Sequence, residues 1–73
     1  MTLSHRQIAD EIAARIRAGE WKVGERVPTT DAFAAEYGVS EATAYRALSL
    51  LVFIGLLRGE SGRGRFVAGP AAD

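Results

Sequence analysis

Arg58, Arg63 and Arg65 are the residues best equipped for chemistry of their own, and Arg63 lies between Gly62 and Gly64. A guanidinium is planar, permanently charged and donates in a fork, which suits phosphate oxygens or the edge of a guanine. Flanking glycines let the backbone approach a partner closely, and a narrow, electronegative minor groove of DNA attracts such an arginine. On sequence alone, a hairpin turn with solvated arginines accounts for the same residues. A nucleotide-binding loop does not, since Gly59, Gly62 and Gly64 lack both the G-x-G-x-x-G spacing and a following helix.

A second group is Ser40, Glu41, Ala42 and Thr43, with Tyr45 and Arg46 just behind. Ser and Thr hydroxyls donate to phosphates, Tyr45 can stack or bond to a backbone, and Arg46 can pair with phosphate or guanine. Thr29 and Thr30 place two more hydroxyls after Pro28. Nothing in the chain builds a catalytic or metal centre. His5 has no second His and no Cys to join it, and it lies inside a capping sequence. The expectation is a protein that is not an enzyme and takes no cofactor or metal.

The elements that hold these residues follow from periodicity. Ser4-His5-Arg6-Gln7 has capping-box spacing, and Ile8, Ile12 and Ile16 follow at four-residue intervals, so the spacing predicts an amphipathic first helix stopped at Gly19. Trp21 to Val27, broken by Gly24 and closed by Pro28, predicts a loop and a short strand. Thr29 or Thr30 caps a second helix running to Tyr37, with Gly38 as its stop. Ser40 caps a third, whose apolar stripe is Ala44, Ala47, Leu48, Leu51 and Ile54. Two helices joined by so short a turn containing Gly form a helix-turn-helix. Leu56-Leu57-Arg58 and Arg65-Phe66-Val67 then read as strands around a tip from Gly59 to Gly64, a wing. Residues 1–68 are expected to be one domain and residues 69–73 a disordered tail or linker stub. Trp21, Phe33, Tyr37 and Phe66 read as core residues rather than as a base-stacking platform.

Seventy-three residues leave room for one small core, and zero Cys removes any disulfide framework. The net charge is zero, but its distribution is uneven. Up to Thr43, five basic residues face seven acidic ones; beyond it, four arginines face Glu60 and Asp73. A general polyanion binder would be far more basic, so contact with nucleic acid must be local. The longest apolar stretch, Leu50 to Leu57, falls far short of the ~20 residues of a membrane span. With no apolar leader at the N-terminus, the chain reads as soluble and cytoplasmic.

From about Gln7 to Ala68 the residues resemble the gluconate-repressor (GntR) family of bacterial winged helix-turn-helix transcription regulators. The resemblance is carried by Gln7-Ile8-Ala9, Gly19 and Gly24 around Trp21, Val27-Pro28, Ala34, Tyr37-Gly38-Val39-Ser40 and Thr43. It continues through Arg46-Ala47-Leu48, Leu51, Gly55-Leu56, Gly62-Arg63-Gly64 and Phe66-Val67. It implies a mostly α fold: three helices plus a two- or three-stranded antiparallel sheet. It also implies that the start of the third helix enters the major groove of double-stranded DNA, while the wing enters the minor groove. On periodicity alone the polar face of that helix reads as solvated; the resemblance turns it into a reading face.

The chain departs from the family at two positions commonly held by Arg, where Glu41 and Asp31 stand. Asp31 suits a helix N-terminus. Glu41 either does the same or accepts from a cytosine N4 in the major groove. Leu50, Val52 and Phe53 are apolar where the family is polar or small, which gives either a wider core seam or a contact that joins two copies. The family's effector-binding domain has no counterpart in these residues, so no small-molecule effector site is expected. The resulting expectation is a repressor acting as a homodimer on a two-fold operator, the alternative being a protein-interaction module in which Glu41 and Asp31 abolish DNA affinity.

Overall fold

The computed structural model describes residues 3–69. Beyond Gly69 the expected tail lies outside the described residues. Helix α1 spans His5–Arg17. Its capping box is closed at both ends: Gln7 N–H donates to Ser4 Oγ (3.2 Å) and Ser4 N–H to Gln7 Oε1 (2.8 Å). Such a cap contributes about 1 kcal/mol. The isoleucine row Ile8, Ile12 and Ile16 is buried along with Ala9 and Ala13.

Helix α2 (Thr30–Tyr37) is capped by Thr29, whose hydroxyl accepts from Ala32 N–H at 3.2 Å. It ends at Gly38, which sits in the left-handed region at φ 67°, where a side chain would be strained. After that three-residue turn, α3 (Glu41–Phe53) starts on Ser40, whose Oγ accepts from Thr43 N–H at 3.1 Å. Strands β1 (Leu57–Glu60) and β2 (Gly64–Val67) pair antiparallel in the register Leu57 to Val67 and Glu60 to Gly64. A bridge between Arg26 and Phe66, with Val27 N–H donating to the Arg65 carbonyl and Val67 N–H to that of Glu25, lays a short third segment along β2.

Phe33, Ile8, Ile12, Leu48, Leu51 and Leu57 are the large side chains fully buried where the helices and the base of the hairpin meet. Trp21 packs edge-on to Phe33 with centroids 5.9 Å apart, and Tyr37 stacks on Phe33 at 6.2 Å. Trp21, Phe33 and Tyr37 are therefore spent on packing, whereas Phe66, expected with them, is only half-buried, lies outside the core and sits on the hairpin face opposite Leu57 and Val67. No helix among the described residues is long and apolar enough to cross a membrane.

Two further expectations are corrected. Ile54 is not part of the buried stripe: α3 stops at Phe53, and Ile54, its C-cap, is 56% exposed. The wing tip is shorter than read, because Gly59, Glu60 and Gly64 join the ladder and leave Ser61, Gly62 and Arg63 as the turn. Leu50 packs partly against the core, so the apolar excess of α3 is divided between a wider seam and the surface.

Candidate nucleic-acid interface

Alternation along the hairpin sorts the wing's charged residues between two faces. Leu57 and Val67 point into the core, and Arg65 shares their side of the ladder. Arg58, Glu60 and Phe66 occupy the opposite face, where the bridge adds Arg26. Arg63, at the turn, belongs to neither; its side chain is 76% exposed.

The inner face meets the helices. Arg65 Nη1 donates to Thr30 Oγ1 at 3.1 Å, and its guanidinium carbon lies 5.5 Å from the centroid of the Tyr45 ring. Together the wing tip and the start of α2 enclose an open cleft of about 430 Å³, lined among others by Arg26, Thr29, Thr30, Arg63 and Arg65. The cleft is cationic on the wing side. On the helix side it offers the N-terminal end of α2, where the peptide dipoles favour anions. Asp31, in the first turn of α2, partly offsets that charge.

At the start of α3, Ser40 is largely committed. Its hydroxyl donates to Thr43 Oγ1 at 3.0 Å while accepting from Thr43 N–H, so both side chains are held in place. Glu41 and Ala42 are exposed, and Glu41 makes no side-chain hydrogen bond or salt bridge among the described residues. Tyr45 and Arg46 are exposed one turn further on.

The structure thus brings Thr29, Thr30, Gly62, Arg63, Gly64 and Arg65 around one cleft, with Tyr45 beside it. Arg58 is not among them. On the outer face its Nε donates to Glu60 Oε2 at 2.9 Å and its guanidinium lies over Phe66, 5.6 Å from the ring centroid. Glu60 also stands 3.9 Å from Arg63 Nε, so one carboxylate serves as counter-ion for both arginines. Leu50, Val52 and Phe53 lie toward the far end of α3. Phe53 is 86% exposed, and its neighbours in the chain, Val52 and Ile54, are exposed as well.

One contributor escaped the sequence reading. Arg26 Nη1 donates to the Arg63 carbonyl at 3.4 Å, and its side chain lies 3.0 Å from where a Cβ on Gly64 would be. The φ of 105° at Gly64 favours glycine there, and the Arg26 side chain would have to shift slightly to admit a Cβ. The signal was the alternation of Arg26 with Val27 in a short strand, but its register opposite Phe66 is a tertiary fact.

Comparison with known proteins accords with this geometry. Residues 4–67 match the family described as bacterial regulatory proteins, gntR family. The chain is 43% identical over 63 residues to the mannosyl-D-glycerate transport/metabolism system repressor MngR of Escherichia coli (strain K12), covering 86% of this chain and 26% of that protein. It is 38% identical over 67 residues to the transcriptional repressor NagR of Bacillus subtilis (strain 168), covering 92% of this chain and 28% of that one. It therefore spans about a quarter of the length of these curated relatives. The structure of AraR(DBD) in complex with operator ORE1 superposes with a TM-score of 0.85 at 34% identity, covering 93% of this chain and 83% of that one. A family match across nearly all the described residues and a winged helix-turn-helix built on them lead to one conclusion: the chain belongs to the gntR family of bacterial regulatory proteins.

Proposed function

We propose that the chain is the sequence-specific operator-binding domain of a transcriptional repressor, reading the major groove of double-stranded DNA with the start of α3 and the minor groove with Arg63. The observation that carries this reading is the convergence of three elements. Arg65 touches Thr30 of α2 and Tyr45 of α3, so hydroxyls, helix start and wing arginines share one surface. The repressor names of MngR and NagR, and the operator bound to the AraR domain, support it.

Within this reading Ser40, Thr43, Thr29 and Thr30 set the register on phosphates, Arg46 adds a cation behind them, and Gly62 and Gly64 let Arg63 into the minor groove. Arg58 contributes once Glu60 yields it. Glu41 discriminates sequence rather than supplying affinity. Its unpaired carboxylate at the front of α3 must accept a hydrogen bond to offset desolvation, and cytosine N4 is the donor a major groove offers. The exposed Val52 and Phe53, with Leu50 beside them, join two copies into a homodimer. They lie about 14 to 18 Å along α3 from Glu41, clear of the reading end.

The test is selection on randomised duplexes, followed by a salt titration on the selected site. Binding should fall with salt at a log–log slope of about −0.9 per phosphate contact. Glu41→Arg should raise affinity for every sequence and move one base preference. Absence of binding at low salt would leave the protein-interaction module as the better account. A wild type that stays monomeric at high micromolar concentration, alone and on operator, would remove the homodimer.

A further inference from the structure

Tyr45 is 57% exposed, and its hydroxyl makes no hydrogen bond among the described residues. A tyrosine on the reading face of α3 would ordinarily be taken as a direct contact through that hydroxyl. Its ring, however, already has a partner. The guanidinium of Arg65 lies 5.5 Å from the ring centroid, within the range of a cation–π contact, and also donates through Nη1 to Thr30 Oγ1 at 3.1 Å. Arg65 forms no salt bridge among the described residues, in contrast to Arg58. Only one of its N–H donors is engaged by another side chain. An arginine held by two uncharged groups keeps its charge for a partner and has already lost the rotamer freedom that binding would otherwise remove.

We propose that Tyr45 is a positioning residue: with Thr30 it holds Arg65 ready for one DNA backbone phosphate, and it thereby ties the wing to α3 so that both grooves are read by a single rigid unit. This rests on the operator-binding reading above. The ring face carries the effect and the hydroxyl does not. Arg65 is the group that touches DNA, and Tyr45 acts through it. The geometry also couples two specificities, because a wing fixed to α3 sets the distance between the base read by Glu41 and the minor-groove site of Arg63.

The experiment has one arm without DNA and one with it. In the free protein, NMR should show Arg65 side-chain protons shifted upfield by the Tyr45 ring current. The shift should disappear in Tyr45→Leu and persist in Tyr45→Phe. On the selected duplex, Tyr45→Leu should weaken binding about three- to tenfold when Arg65 is present and less than twofold in an Arg65→Gln background, the range expected of one cation–π pair. Tyr45→Phe should bind within twofold of wild type. Arg65→Gln should reduce the magnitude of the salt slope by about one phosphate's share. Additive losses, or a Tyr45→Phe as damaging as Tyr45→Leu, would overturn the proposal, as would an Arg65 spectrum indifferent to Tyr45. A wild type that shows the ring-current shift but binds no duplex overturns the operator reading, and the phosphate role of Arg65 with it, while leaving the contact itself established.

Discussion

Arg15 on α1 and Arg63 at the wing tip carry the same side chain and do opposite things with it. Arg15, on α1, donates to Glu20 through two nitrogens at 2.9 and 2.5 Å, and to both Glu36 Oε2 and Tyr37 Oη at 2.9 Å. It also lies 4.7 Å from the centroid of Trp21. Its guanidinium is consumed in joining α1, the following loop and the end of α2. Arg63, at the wing tip, has one carboxylate at 3.9 Å and is otherwise open to solvent. An arginine with most of its donors matched stabilises a fold; one left undermatched on a glycine turn is available to a partner. Arg65 stands between the two cases, oriented by neighbours that leave its charge free.

The sharpest way to break this contrast is to remove Arg15. Arg15→Ala should lower stability by about 2 kcal/mol, roughly 8–16 °C in Tm for a domain of this size, mostly through the lost packing on Trp21 because both carboxylates remain about half exposed. DNA affinity measured well below the melting range should be unchanged. A thermal melt and a binding isotherm on the same sample check both halves. Arg63→Ala should give the mirror image: a loss of about tenfold in operator affinity, with Tm within about a degree of wild type. A large fall in Tm there would show that the wing arginine serves the fold.

Glu60→Gln sharpens the comparison from the other side. Freed of their shared counter-ion, Arg58 and Arg63 should bind DNA about two- to fivefold more tightly at matched low salt, with the gain fading as salt rises. Weaker binding would mean that Glu60 orients the arginines instead of competing with DNA for them. The smallest effect expected is a pH dependence. Hydrogen bonds from Arg15 hold the Glu20 carboxyl below the usual carboxylate range, and Arg15 is raised chiefly by Glu20. A carboxyl depressed in the folded state adds stability above its unfolded pKa and loses it as pH falls through the folded value. Tm should therefore fall on acidification through the carboxylate range, and more shallowly in Glu20→Gln than in wild type. Parallel curves for the two proteins would remove that pair from the acid response.

Much of the fold was legible because its punctuation is local. Ser4, Thr29 and Ser40 each cap a helix from within four residues, and Gly19 and Gly38 supply the left-handed backbone that ends one. The α1 isoleucine row likewise declared its buried face, because period and burial are linked within a single element. Ile54 was misread for the same reason: the stripe continued on paper after the helix had stopped.

What only the tertiary structure decided is which arginines are free. All of them carry the same charge in the sequence, and several of their partners lie far along the chain: Glu36 for Arg15, the Arg63 carbonyl for Arg26, Thr30 for Arg65. Local spacing fixes caps and turns because those hydrogen bonds close within a few residues. An ion pair or a cation–π contact closes across the fold, and its existence depends on strand register and on the face each side chain takes. The sequence alone therefore determined a winged helix-turn-helix with arginines in its wing; the contacts of Arg65 with α2 and α3 determined that it is held, while the pairing of the hairpin set Arg58 beside Glu60 and Phe66 and left Arg63 open at the turn.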